Sequence, residues 1–102
     1  MYYTYVLQSL KDKKLYIGYT SDLRRRLQQH KFGGSISTKR RLPFCLVFYE
    51  AFISQDDAKR REGYFKTNKG KKALKLMLRM SLLSHEPDRR SVHGPEPSFA
   101  LV

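Results

Sequence analysis

A single cysteine, Cys45, excludes an internal disulfide and with it the stapled class of small secreted domains. It lies in the apolar run Phe44-Cys45-Leu46-Val47-Phe48-Tyr49 and reads as a small buried hydrophobe. No apolar stretch approaches the ~20 residues of a membrane-spanning helix, so no membrane partner is expected. The opening MYYTYVLQS has neither the basic start nor the small-residue cleavage site of a signal peptide, and a cytoplasmic location follows as the expectation. Zinc-type Cys/His spacing, a phosphate-cradling glycine loop and internal repeats are all missing. His85 and His93 lack a third ligand nearby in sequence. Acidic residues are scarce as well, 9 against 21 Lys and Arg, for a formal net charge of +12.

That excess points to a polyanionic partner, bound through release of its counterions. Its distribution is uneven. Residues 1–84 hold 19 of the basic and 6 of the acidic residues, or +13, which leaves −1 for residues 85–102. The latter stretch carries three prolines, a glycine and no hydrophobic period. We therefore expect one domain over 1–84 and a flexible C-terminal tail over 85–102.

Within the domain the alternation of apolar and polar residues predicts strands over Tyr2–Ser9 and Leu15–Thr20, joined by the polar turn Lys11-Asp12-Lys13-Lys14. A turn centred between Asp12 and Lys13 pairs odd with even positions. It puts Tyr5 and Tyr16 on one face and Leu7 opposite Gly18, where a missing side chain allows close approach. Thr20 or Ser21 is the expected cap of the next helix, with Asp22 in its first turn and Leu23 and Leu27 as its inward stripe. Arg26 and His30, four apart, lie beside that stripe, and Arg24 and Arg25 face solvent. A loop over residues 31–43 ends in Lys39, Arg40 and Arg41, a cluster suited to a phosphate backbone.

Phe44–Phe52 is nearly continuous in apolar residues and reads as a buried strand. Ser54 and Asp57 have the spacing of a capping box ahead of a second helix. There Glu62 sits near the apolar positions Ala58 and Phe65 among Lys59, Arg60, Arg61 and Lys66. It is either one member of an ion-pair network or a carboxylate ligand for a hard cation. A third helix follows Gly70, with Ala73, Leu76, Met77, Met80 and Leu83 as its expected packing face. The fold class expected is α+β (an α/β sandwich): a three-stranded antiparallel sheet flanked by about three helices.

The order of Tyr5, Tyr16-Ile17-Gly18, Arg26, His30 and Glu62 resembles the GIY-YIG nucleases, in their small free-standing bacterial form. It is similar also to the nuclease domains of excision nucleases and of homing endonucleases. Tyr3-Thr4-Tyr5 stands where the family name has Gly-Ile-Tyr, whereas Tyr16-Ile17-Gly18 is literal. A further family tyrosine or histidine aligns with Ser37, and Asn68 has no clear counterpart.

The resemblance implies a metal-dependent endonuclease that hydrolyses DNA phosphodiester bonds, with branched or damaged DNA of repair and recombination as substrate and RNA as a further option. It implies one Mg²⁺ or Mn²⁺ held by Glu62, phosphate binding by Arg26, and a water oriented or deprotonated by Tyr16 or Tyr5. His30 assists as phosphate donor or proton shuttle. Arg24, Arg25, Lys39, Arg40, Arg41 and Lys66 form the implied nucleic-acid surface of a monomer or weak dimer. The alternative is a non-catalytic nucleic-acid-binding domain on the same scaffold.

Overall fold

A computed structural model of the chain describes residues 1–34, 39 and 42–82. Strands β1 (Tyr2–Ser9), β2 (Leu15–Thr20) and β3 (Phe44–Phe52) form an antiparallel sheet in the order β2-β1-β3. Helices α1 (Leu23–Lys31), α2 (Gln55–Phe65) and α3 (Asn68–Met77) complete the α+β architecture that the alternation and helical spacing predict. The tail expected over 85–102, Ser37, Arg40 and Arg41 all lie outside the described residues.

The sheet separates two apolar clusters. Tyr5, Leu7 and Phe44 pack with Tyr16, Leu23, Leu27 and Leu46 on the face covered by α1. Val6, Ile17, Phe65, Leu74 and Leu78 pack with Phe48 on the face covered by α2 and α3. The period-2 alternation of β1 accounts for this division, since Tyr5 and Leu7 point one way and Thr4 and Val6 the other. Thr4 is buried on the α2 side, and its hydroxyl donates to the Ala58 carbonyl at 2.6 Å.

The hairpin register differs from the expected one by two residues. Tyr5 lies opposite Gly18, and Leu7 lies opposite Tyr16. The turn starts one residue earlier than the polar run indicates, at Leu10, because Ser9 is already paired with Lys14. Its geometry comes from Ser9, whose Oγ accepts from the amides of Lys11 and Asp12, and from a left-handed Lys13 with φ of 63°. A two-residue shift preserves facing, so Tyr5 and Tyr16 do share a face, with ring centroids 6.3 Å apart.

Four further expectations are corrected. The α1 cap is Asp22, whose carboxylate accepts from the Arg25 amide; Thr20 instead bonds the Asp22 amide. Ser54 occupies the α2 cap position, but its side chain makes no capping bond there. The inward face of α3 is Gly70, Leu74 and Leu78, while Leu76, Met77 and Met80 are exposed. Gly70 sets this phase, because a Cβ there would collide with the Tyr64 carbonyl, so only glycine lets the two helices meet this closely. Finally, β3 is an edge strand buried only at its Phe44 and Cys45 end, with Tyr49 and Ala51 exposed.

Candidate active site

Tyr5 is the hub of a polar cluster under α1. It is fully buried, and its hydroxyl lies 2.8 Å from His30 Nε2 and 3.3 Å from Arg26 Nε, which donates to it. The four-residue spacing of Arg26 and His30 stacks both on the helix face that looks down on the sheet. Arg26 extends past Tyr5, giving Nη1 to Gln29 Oε1 at 3.0 Å, and Tyr16 lies close enough to favour its charged form. Tyr16 sits edge-on to the His30 ring, centroids 5.1 Å apart, and Phe44 closes the apolar side against both rings.

The electrostatics assign protons. Burial first, and the Arg26 charge second, push the His30 imidazole down to about 4, so it is neutral at pH 7. Burial likewise lifts the Tyr5 phenol to about 12. The Arg26 bond and charge oppose that rise, while Tyr16 and the negative charge of Glu62 add to it. Tyr5 is therefore a firmly protonated phenol that accepts from Arg26. Neutral His30 shares a hydrogen bond between Nε2 and this hydroxyl, with its direction set by the imidazole tautomer. Burial lowers the Arg26 pKa, but its bond to Tyr5 and its nearness to Tyr16 outweigh this and raise it overall, so Arg26 stays charged.

Glu62 reaches this neighbourhood from the opposite layer, on α2. It is half-buried, close enough for its charge to act on the Tyr5 hydroxyl, and it pairs with Lys66 Nζ at 3.1 Å. The surrounding cations are otherwise engaged: Arg61 forks onto Glu50 at 2.8 and 3.5 Å, and Arg60 pairs with Asp57. Among the described residues no three His, Cys, Asp or Glu converge on one point. A single carboxylate at the margin of a cationic cluster fits a hydrated hard cation that takes few protein ligands, and it does not fit a zinc cage.

Residues 1–75, which hold this hairpin and the helices after it, match the family model of the GIY-YIG catalytic domain. The chain belongs to the GIY-YIG family. UPF0213 proteins of Streptococcus pyogenes serotypes M3 and M1 are 47% identical to it over 68 residues, which is 66% of this chain and 73% of each of theirs. The solution NMR structure of a UPF0213 protein from Bacillus halodurans is similar at 38% identity and a TM-score of 0.48, covering 76% of this chain and 85% of that one. GIY-YIG nuclease domains act on DNA and generally use a divalent metal ion.

Tyr5, Tyr16, Arg26 and His30 are thus brought together, with Glu62 at the margin and Lys66 beside it. Arg24 and Arg25 lie exposed on the outer side of α1, and Lys39 is exposed without joining the cluster. Two participants escaped the sequence reading, Gln29 and Phe44. Gln29 follows Arg26 by three and was discoverable by helical spacing; Phe44 arrives through β3 pairing and was not. Also missed was the basic surface of Lys69, Lys71, Lys72, Lys75 and Arg79, all exposed. The signal was available, since no acid follows Glu62 until Glu86.

Proposed function

We propose that this domain is a metal-dependent endonuclease that hydrolyses DNA phosphodiester bonds, acting inside the cell on branched or damaged DNA. The observation that carries the reading is the Arg26 guanidinium, held by Tyr5 and Gln29 next to a neutral buried histidine. A fixed, permanently charged fork is suited to a phosphate and to the charge that builds on its oxygens during displacement. Tyr5, protonated and engaged on both sides, orients Arg26 and is a poor base. Tyr16 is the better candidate to position the attacking water and receive its proton, because it is less buried and lies near enough to Arg26 to feel its charge. His30 locks the Tyr5 hydroxyl and stays uncharged.

Glu62 would hold Mg²⁺ or Mn²⁺, which supplies Lewis acidity at the scissile phosphate. The nucleic-acid surface comprises Arg24, Arg25, Lys39, Arg40, Arg41 and Lys66. One observation favours the second reading, a non-catalytic binding domain: Glu62 is neutralised by Lys66.

Nicking of supercoiled plasmid and of branched DNA with Mg²⁺ or Mn²⁺ decides between them. Wild type should nick, while Glu62→Ala and Arg26→Ala should not. Nicking that survives in Glu62→Ala would misplace the site. Salt-sensitive binding without nicking by wild type would establish the binding domain instead.

A further inference from the structure

Tyr49 stands directly opposite Tyr5 on the neighbouring strand β3 and on the same face of the sheet. Adjacent strands lie about 4.8 Å apart, so the Tyr49 side chain rises one strand away from the hub of the site. Where Tyr5 is sealed, Tyr49 is 53% exposed. Tyr3 contacts it edge-on, with centroids 6.2 Å apart and planes at 60°, and the residue paired with Tyr3 is the small, exposed Ala51. The α1 side of the sheet is therefore covered over Leu7 and Phe44 and open over Tyr3, Tyr49 and Ala51. Thr20 pairs with Tyr3 at this open end, and α1 starts within roughly 11 Å of Thr20 by chain length alone. The exposed Arg24 and Arg25 follow at once.

We propose that Tyr49, braced by Tyr3, is a stacking platform for an unpaired base of the strand whose phosphate Arg26 holds. The inference rests on the nuclease reading and narrows its substrate class to nucleic acid with a single-stranded stretch beside the cleaved bond. An aromatic ring standing off a sheet engages the flat face of a base only when that face is free of its neighbours in a duplex. Cross-strand aromatic contact also helps hold β1 to β3. That role uses only the edge contact with Tyr3 and leaves the rest of the Tyr49 ring in water. The +12 net charge supplies the backbone attraction that brings a strand to this surface.

The protein has no tryptophan, so Tyr49→Trp introduces one fluorophore at the platform. In metal-free buffer at fixed salt, this variant is titrated with a single-stranded oligonucleotide, a forked duplex and a blunt duplex, with anisotropy of labelled DNA followed in parallel. Emission should be quenched by the first two and little by the blunt duplex at equal occupancy. Tyr49→Ala should weaken single-strand binding roughly five- to tenfold and blunt-duplex binding far less, whereas Tyr49→Phe, which keeps the ring, should bind as wild type. Thermal melting of each variant controls for folding, and Tyr49→Leu serves if the alanine variant is unstable. Equal quenching by all three substrates, or unchanged single-strand binding by folded Tyr49→Ala, overturns the platform while plasmid nicking by the same preparations leaves the nuclease standing. Failure of wild type to bind any nucleic acid removes both.

Discussion

The ring of Tyr5 lies across Gly18, its direct partner on β2, and fills the space a side chain there would need. A Cβ at position 18 would meet Cζ and the hydroxyl oxygen of Tyr5, with Cε1 only 2.8 Å away. Tyr5 is buried, bonded at its hydroxyl and unable to swing aside. Gly18→Ala should therefore destabilise the domain by about 1–3 kcal/mol, as overpacking does, and should displace the hydroxyl that holds Arg26. Gly63 is the internal control: it is exposed within α2, and a methyl group there would meet nothing within 4 Å. Gly63→Ala should stabilise by roughly 0.5–1 kcal/mol. Urea unfolding of both variants checks the opposite signs, and equal stability of Gly18→Ala and wild type would refute the close approach.

His30 makes stability depend on pH with a definite sign. Its folded pKa of about 4 lies below the ordinary 6.5, so the unfolded chain takes up a proton first as the solution is acidified. The contribution is complete above pH 6.5 and is lost as pH falls through 6.5 toward 4, to a total on the order of 3 kcal/mol. Urea midpoints at pH 7, 5.5 and 4.5 should fall in step. His30→Gln, neutral throughout, should flatten that part of the slope, and an unaltered slope in the variant would assign it to other groups.

Facing was legible in the sequence where register was not. A strand's alternation fixes which residues share a side, and it placed Tyr5 with Tyr16 even though the register was set two residues off. The turn depends on Lys13 adopting a left-handed backbone, which no residue type announces as glycine does. The α3 face was misread for a related reason. Its apolar spacing names Leu76, Met77 and Met80, but a backbone-to-backbone approach at Gly70 set the phase and left them outside. Of the site, Arg26 and His30 were readable from helical spacing alone. Gln29, three after Arg26, and the Glu62–Lys66 pair, four apart, lay within reach of the same spacing, whereas Phe44 depends on tertiary placement.

Arg61 ties the second layer to the sheet. Its Nε and Nη2 fork onto the two oxygens of Glu50, and its guanidinium lies 4.3 Å from the centroid of the buried Phe65 ring. Glu50 is paired with Thr4, the residue that bonds α2 through Ala58, so the fork and the hydroxyl fasten the same strand pair to one helix. Lysine keeps the charge but loses the planar fork and the stack. Arg61→Lys should cost about 1 kcal/mol, discounted for partial exposure, with nicking preserved apart from that loss. A loss of nicking at full stability would place Arg61 in the chemistry.

Glu62, the proposed metal ligand, is paired with Lys66. The contact joins residues one helical turn apart, and the lysine side chain is 55% exposed against 24% for the glutamate. An exposed pair of this kind contributes only a few tenths of a kcal/mol, so an incoming divalent cation displaces the ammonium readily. Mn²⁺ titration followed by calorimetry or electron paramagnetic resonance should show weak binding that Glu62→Gln abolishes. Lys66→Ala should strengthen it about two- to threefold at low salt, with the gain fading as salt screens the competing charge. Folding should change little in either variant, since neither side chain belongs to an apolar cluster. Binding that persists in Glu62→Gln would move the metal elsewhere. Binding that weakens in Lys66→Ala would mean the lysine positions Glu62 for the ion and does not compete with it.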